Sequence, residues 1–485
     1  MARISPELEQ ILRDLNPWWT APHPVRPSPP PYRRRHVPGI VAALARPRAL
    51  IQVLRGPRQV GKTTALYQIA EDLLGRGSAP ADILLVRFDL QPLREAGVMP
   101  LVRWHAEAIR RATGATTPVI LLDEIHKLSA WDEQVKHLYD TFPVRLVITG
   151  SSSVLVARGQ RESLAGRAAT LDFPPFLFRE VLEAWHQDAA GALPEPLGFE
   201  RCFDATADLA AHVGAIHRQP AQRLHSFRRR LDRYYNRGGY PRLYSGEVDE
   251  DRWADYLVET VFERVLGVDI PDLFPIEQPT LLRHIYLEVA RRTGSEVSQG
   301  TLADDCNAAG YRTTQPVVGR YLHYLADALL IREFRRYPLT RSRTARVPVK
   351  ITLTDLGVRN AIFRGAPSLW ESPPAVVGPL VETLVQAVLR GAGLEVHFFR
   401  DYREPGNRRS PIEEIDFVVE ALDGQVIPVE VKFRARIDRG DVDAVYRFMD
   451  QHECPMGLVV TREAFRWDGE ARILFVPLLE FLLAF

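Results

Sequence analysis

Gly56-Pro57-Arg58-Gln59-Val60-Gly61-Lys62-Thr63, with Thr64 directly behind it, is the stretch whose reading decides the fold. It fits G-x-x-x-x-G-K-[ST], a loop that cradles phosphates with its own backbone. The apolar run Leu50-Ile51-Gln52-Val53-Leu54 before it reads as a buried strand, and Thr64–Ala70 after it has helical spacing. Strand, glycine-rich loop and helix in that order aim the first N–H groups of the helix at a polyphosphate. Gly56 and Gly61 let the chain curl around a β-phosphate without Cβ clashes. Lys62 is expected to reach the β- and γ-phosphates, and the Thr63 hydroxyl to hold a metal. The expected cofactors are ATP and Mg²⁺, on a nucleotide-binding segment that runs from Gly56 through Thr64.

Val119-Ile120-Leu121-Leu122 is a second buried strand, and it ends in Asp123-Glu124. Carboxylates at the C-terminal tip of a strand lie where doubly wound sheets bind ligands. Asp123 suits Mg²⁺, alongside Thr63; Glu124 suits the carboxylate that polarises an attacking water. A further strand, Arg145–Thr149, runs on into Gly150-Ser151-Ser152-Ser153. Thr149 and Ser151 are the candidates there for orienting the water or sensing the γ-phosphate, and an ordinary strand-end turn is the alternative.

With 485 residues the chain exceeds one core and implies two to four domains. A net charge near +1 excludes a global electrostatic commitment to nucleic acid or membrane, so any such surface must be local. Cys202, Cys306 and Cys454 are widely separated and fit neither a disulfide framework nor a zinc pattern. The sequence has no apolar run of membrane-spanning length, and MARISPELEQILRDL has no signal-peptide core. A cytoplasmic protein without a membrane partner is the expectation.

Residues 1–38 read as an N-terminal arm, because prolines between Asn16 and Pro38 favour extended, unpaired backbone. Its Arg33-Arg34-Arg35 run suits a solvated linker, a neighbouring subunit or nucleic acid. Alternating strands and helices over 39–179 give a parallel sheet wrapped by helices, and 180–275 reads as a helical lid. Over 276–364, a helical trio precedes a strand pair. Ser298 can cap the second helix, and Thr313 or Thr314 the third, with Pro316 in its first turn. Helix–turn–helix plus ribbon is the layout of a winged helix. Arg320 and His323 stand among apolar neighbours on the third helix, so a structural role is favoured over base reading. Arg332, Arg335, Arg336, Arg341, Arg343 and Arg346 are the candidates for phosphate contacts.

These motifs, with SLAGRAATLDFPPFLFREV, GGYP, VKITLTDLGVRNAI, GPLVETLVQAVL, EEIDFVV and VIPVEVK, resemble a group of prokaryotic AAA-type ATPases. In that group a winged helix and a C-terminal domain of unknown function follow the ATPase module. The resemblance covers most of the chain from about Arg46 onward. It implies a homo-oligomer, and it makes Arg167 of Gly166-Arg167 a candidate catalytic arginine acting on a neighbour's nucleotide. Arg158 and Arg161 are rivals, and a purely structural role for Arg167 stays open.

In the last segment, 365–485, two strands flank Asp423-Gly424, a hairpin signal. A strict two-residue turn would set Asp416 against Val431; a three-residue turn or a bulge would set it beside Glu430. Glu382, Asp416, Glu430 and Lys432 resemble the site of restriction-endonuclease-like nucleases. That resemblance implies a divalent metal on Glu382, Asp416 and Glu430, with Lys432 adjacent. The fold class is therefore α/β: a P-loop NTPase core of the AAA type, a helical lid, a winged helix and a restriction-endonuclease-like C-terminal domain. Two functional alternatives stand beside the ATPase: an ATP-regulated metal-dependent nuclease, and a nucleotide-switched assembly protein that cuts nothing.

Overall fold

A computed structural model describes residues 4–20, 32–110, 117–151, 164–204, 206–272, 274–337, 349–391, 393–402 and 412–485. The chain forms two compact units. One comprises Met1–Pro174 with Asp269–Pro275 and Asp327–Leu329; the other comprises Pro175–Val268, Ile276–Ala326 and Leu330–Phe485.

In the first unit, β1 (Ile51–Gly56), β2 (Ile83–Arg87), β3 (Val119–Asp123), β4 (Arg145–Ser151) and β5 (Ala168–Asp172) form a parallel sheet. Their order is β2-β3-β4-β1-β5. The central strands are mostly apolar, as expected for a parallel sheet covered on both faces; in β3 every residue is buried. Edge strand β5 is only half-buried, so it lacks the apolar run that marks the others. The loop after β1 opens helix Lys62–Gly75, as the spacing predicts.

The N-terminal segment departs from expectation at both described ends. Helix Pro6–Leu15 is capped by the Ser5 hydroxyl, which accepts from Leu8 N–H. Its Leu12 is fully buried in the same core as Ile51, Ile120 and Ile148. The Asn16 side chain then pairs with β2 as a strand would: Nδ2 donates to Leu85 O at 2.9 Å, and Oδ1 accepts from Leu85 N at 2.6 Å. The indoles of Trp18 and Trp19 both donate to Ile83 O. At the other end, Arg34 is buried, donates to Val60 O and Pro174 O, and lies 4.3 Å over the Phe173 ring. Arg33 pairs with Glu71 and Asp72. Arg33 and Arg34 are thus packing residues of this unit, and the expectation of a tether fails at 16–19 and 32–35. Burial of the apolar tryptophans and satisfaction of both Arg34 bonds outweigh the extended bias of the prolines.

The second unit holds helices Phe178–Trp185 and Ala221–Arg237, and then the expected helical trio: Pro279–Arg291, Gln299–Ala308 and Gln315–Asp327. Ser298 caps the second of the trio, accepting from Thr301 N–H at 2.9 Å. The third buries Tyr321, Leu322, Tyr324 and Leu325 and leaves Arg320 and His323 exposed. Strands β6 (Ser295–Val297), β7 (Ile331–Phe334) and β8 (Val349–Leu353) form a sheet in the order β6-β8-β7. Arg332 is buried, Arg336 pairs with Asp401, and Arg341, Arg343 and Arg346 lie outside the described residues.

The C-terminal sheet contains β9 (Glu395–Tyr402), β10 (Ile412–Glu420), β11 (Val426–Lys432), β12 (Gly457–Thr461), β13 (Arg466–Asp468) and β14 (Ile473–Pro477). Its order is β13-β14-β12-β11-β10-β9: antiparallel among β9, β10 and β11, parallel from β11 to β14, with β13 antiparallel at the edge. Helix Pro374–Gly391, which carries Glu382, packs on it.

Within the second unit the GGYP motif meets the TLTDLG motif at very short range. Asp355 accepts from Gly239 N–H and Gly357 N–H, and burial pushes its carboxyl up to about 6. A Cβ on Gly239 would lie 2.0 Å from the Phe176 carbonyl oxygen. Gly239→Ala is therefore expected to lower the melting temperature, at a cost of about 1–3 kcal/mol for overpacking. Gly267→Ala, where nothing lies within 4 Å, is the control expected to melt like the parent in scanning calorimetry.

Candidate functional site

The strand order builds the site. Because β4 runs between β1 and β3, Thr149 lies beside Leu54 on one side, and Ile148 pairs with Leu122 on the other. Thr149 thereby reaches Asp123: its hydroxyl donates to Asp123 Oδ1 and accepts from Glu124 N–H at 3.1 Å. The Thr63 hydroxyl donates to Asp123 Oδ2 at 2.7 Å. Two predicted hydroxyls from separate elements thus converge on the predicted carboxylate. Asp123 is fully buried, and burial together with Glu124 raises its pKa against the lowering effect of the two hydroxyls. With its proton directed at Asp123, the Thr149 hydroxyl positions that carboxylate and the Glu124 backbone. Ser151 ends β4.

Lys62 is buried and donates to Gly56 O and Pro57 O, both at 2.8 Å, so its ammonium lies across the mouth of the loop. Burial lowers its pKa, while Glu124 and Asp123 raise it. Gln59 and Gly61 both take positive φ, 65° and 91°, which bends the loop around its own N–H groups. Gly56 has a different reason from the one expected: a Cβ there would stand 2.2 Å from Phe173 O, so the close approach is to the chain after β5. Arg34 bonds Val60 O from outside the loop. Arg58 forms a two-pronged ion pair with the buried Asp269. Glu124 sits in the left-handed region at φ 52°, unusual for a residue with a side chain, directly after the strand end.

His126 Nε2 lies 3.5 Å from Glu124 Oε2, and burial, Lys62 and Lys127 push its pKa down to about 3. It is therefore a neutral imidazole beside the carboxylate. Asp269, His126 and Arg34 were not singled out in the sequence for this site. Only His126, two residues beyond Glu124, had a local signal.

Arg167 precedes β5, at the end of the sheet where Ile51 begins β1, and Ile51 N–H bonds to its carbonyl. That end lies five residues of strand, roughly 17 Å, from the phosphate loop. Arg167 pairs with Asp140 at 2.9 Å on the surface. Arg158 and Arg161 lie outside the described residues.

In the C-terminal domain Glu420 pairs with Val426 across a three-residue turn, with Ala421 N–H bonded to Gln425 O. A bulge against β9 falls between Ile415 and Val418, at Asp416. Asp416 consequently stands beside Glu430, its N–H donating to Glu430 Oε2 at 3.2 Å, while Val431 N–H donates to Asp416 Oδ2. Glu382 joins them. Lys432 pairs with Glu430. The predicted four come together, but with a fifth member that was not expected. Lys350 of β8 is buried and lies 2.7 Å from Glu382 Oε2 and 2.8 Å from Asp416 Oδ1. Burial and Asp416 push both Glu382 and Glu430 up to about 8. The expected metal on Glu382, Asp416 and Glu430 does not fit this arrangement, because an ammonium already stands between two of the three carboxylates. Among the described residues no group of three or more His, Cys, Asp or Glu side chains is set to hold a metal ion.

A parallel sheet with β4 between the loop strand and the acidic strand, and a G-x-x-x-x-G-K-T loop at its tip, defines a P-loop NTPase. Residues 48–182 match an AAA domain, 228–368 a domain of unknown function (DUF8612), and 377–481 another (DUF4143). The chain thus carries an AAA domain of the P-loop ATPase type, followed by two domains of unknown function. An uncharacterized protein of Haemophilus influenzae is 21% identical over 83% of this chain and 87% of its own length. One of Methanocaldococcus jannaschii is 24% identical over 89% and 84%. Among solved structures, a Walker-type ATPase of Pyrococcus abyssi shares 14% identity at a TM-score of 0.39, over 68% of this chain and 95% of that one. The Aeropyrum pernix Orc1 protein in complex with DNA shares 16% at 0.29, over 72% and 96%.

Thr149→Val keeps the shape and removes both hydrogen bonds. Bonds to charged groups are worth about 1.5–3 kcal/mol, so nucleotide turnover is expected to fall by roughly one to two decades with nucleotide affinity less affected. Steady-state turnover beside equilibrium nucleotide binding checks this.

Proposed function

We propose that the protein binds ATP with Mg²⁺ on Gly56–Thr64 and hydrolyses it as a homo-oligomer. The convergence of Thr63 and Thr149 on buried Asp123, with Glu124 next in the chain, is the observation that carries this reading. Thr63 and Asp123 would hold Mg²⁺, which supplies charge neutralisation between the β- and γ-phosphates; a buried carboxylate fixed by two hydroxyls fits that role. Lys62 turns from the loop carbonyls toward the β/γ-phosphate oxygens, which are stronger acceptors. Glu124 polarises the attacking water and takes its proton, and neutral His126 beside it adds no positive charge that would weaken the base.

Arg167 is too far from the loop of its own sheet to serve it, so its catalytic role is toward a neighbouring subunit. An exposed pair such as Arg167–Asp140 contributes little and can be exchanged for a phosphate. The trio of helices with β6–β8 is read as a winged helix that serves packing and assembly, on the burial of Tyr321, Leu322, Tyr324 and Leu325. The six-stranded C-terminal sheet with Glu382 on its helix is read as a restriction-endonuclease-like fold.

Lys62→Ala is expected to lose nucleotide binding. Glu124→Gln is expected to retain ATP and lose turnover by roughly 10²–10⁴, the usual contribution of a positioned base. Hydrolysis by Glu124→Gln at the parent rate would overturn the assignment of the catalytic carboxylate.

For the subunit boundary, Arg167→Ala subunits mixed with Lys62→Ala subunits are expected to recover part of the activity that each lacks. A monomeric parent with no recovery in the mixture would leave Arg167 only its contact with Asp140.

A further inference from the structure

We propose that Lys350 is the built-in counter-ion of the Glu382–Asp416–Glu430 centre, so that this centre takes no divalent metal and instead fastens β8 to the C-terminal sheet. The inference is independent of the ATPase reading, since none of these residues belongs to the nucleotide site.

Three carboxylates brought together in a buried place need compensating charge. A divalent cation is one solution, with carboxylate oxygens as its ligands. This chain contains another. Lys350 sits on β8, the middle strand of the small sheet, and its side chain is 2% exposed. Its ammonium is 2.7 Å from Glu382 and 2.8 Å from Asp416, and lies 5.0 Å over the Phe417 ring. An ammonium offers three donors and no acceptor, so it satisfies carboxylates but repels a metal ion that would share them.

The remaining oxygens of Asp416 and Glu430 are also engaged. Asp416 Oδ2 accepts from Val431 N–H at 2.9 Å, Glu430 Oε2 accepts from Asp416 N–H, and Glu430 Oε1 is paired with Lys432. Lys350 also donates toward the Asp416 backbone carbonyl at 3.4 Å, which ties β8 to the bulge itself. A divalent ion would have to displace a cation held by two buried carboxylates and compete for Asp416 and Glu430 oxygens that are already bonded. The lysine also gives β8 a polar anchor on β10 and on helix Pro374–Gly391 that non-directional apolar packing would not provide.

The test uses the full chain in an Asp123→Asn background without nucleotide, so that the ATPase site contributes no Mg²⁺-type ligand. Mn²⁺ binding is followed by the paramagnetic resonance of the free ion, and melting is followed with and without Mn²⁺. Asp123→Asn and Asp123→Asn/Asp416→Asn proteins are expected to bind equal amounts of Mn²⁺, and Mn²⁺ is expected not to raise the melting temperature of the first. One extra equivalent bound by the first, or a rise in its melting temperature that Asp416→Asn removes, overturns the proposal.

Lys350→Met in the same background leaves the carboxylates uncompensated and is expected to lower melting by on the order of 10 °C. If this variant is too unstable to purify, Lys350→Met/Glu382→Gln removes one charge of each sign and is expected to be recovered in folded form. A Lys350→Met protein as stable as its parent, or a double variant no more stable than the single one, shows that Lys350 is not the counter-ion.

Discussion

A carboxylate buried without bulk water needs hydrogen bonds from what touches it, and Asp123 takes them from two hydroxyls on elements far apart in sequence. That requirement organises the first unit. Thr63 can reach Asp123 only if the loop after β1 opens a helix at the same sheet edge where β3 ends. Thr149 can reach it only if β4 runs between β1 and β3. The order β2-β3-β4-β1-β5 is thus a condition for the site as well as a description of the fold. The same hydroxyl that bonds Asp123 also accepts from the N–H of Glu124, so one threonine fixes both the carboxylate and the backbone of the residue after it.

The second unit solves the same physical problem with different chemistry. Its acidic centre is compensated from within, by an ammonium on a strand of another sheet. Asp355 shows a third solution, in which the N–H groups of Gly239 and Gly357 bond the carboxylate, at positions where a Cβ would strike the carbonyl oxygens of Phe176 and Arg237. Burial raises the carboxyl pKa at Asp355, Glu382 and Glu430 alike. The protein thus places buried acids at the junctions of its elements, and the partner chosen at each one decides whether the junction is a site or a fastening.

Much of this was legible in the sequence where the signal is local. The phosphate loop, the apolar strands β1 to β4, the Ser298 cap and the hairpin carry their signals within a few residues. The hairpin reading left open which register held, and the three-residue turn decided for pairing with Glu430. Long-range partners were not legible. Nothing beside Lys350 in the chain says that it will meet Glu382 and Asp416, and nothing beside Asp269 says that it will pair with Arg58. The Pro-rich arm misled because proline restricts backbone angles without saying whether the tryptophans and arginines between them find a surface.

The clasp of Asn16 on Leu85 bears on how this chain keeps company with itself. β2 is an outer strand, and an outer strand exposes N–H and C=O groups that welcome any passing strand. Here a side-chain amide takes both groups of Leu85, and two indoles take the carbonyl of Ile83. Residues 4–20 therefore act as a stopper on an adhesive seam. A shortened chain beginning at Arg46 would keep its phosphate loop but uncover that seam. Association through it would give open-ended, strand-to-strand aggregates, distinct from the homo-oligomer proposed above.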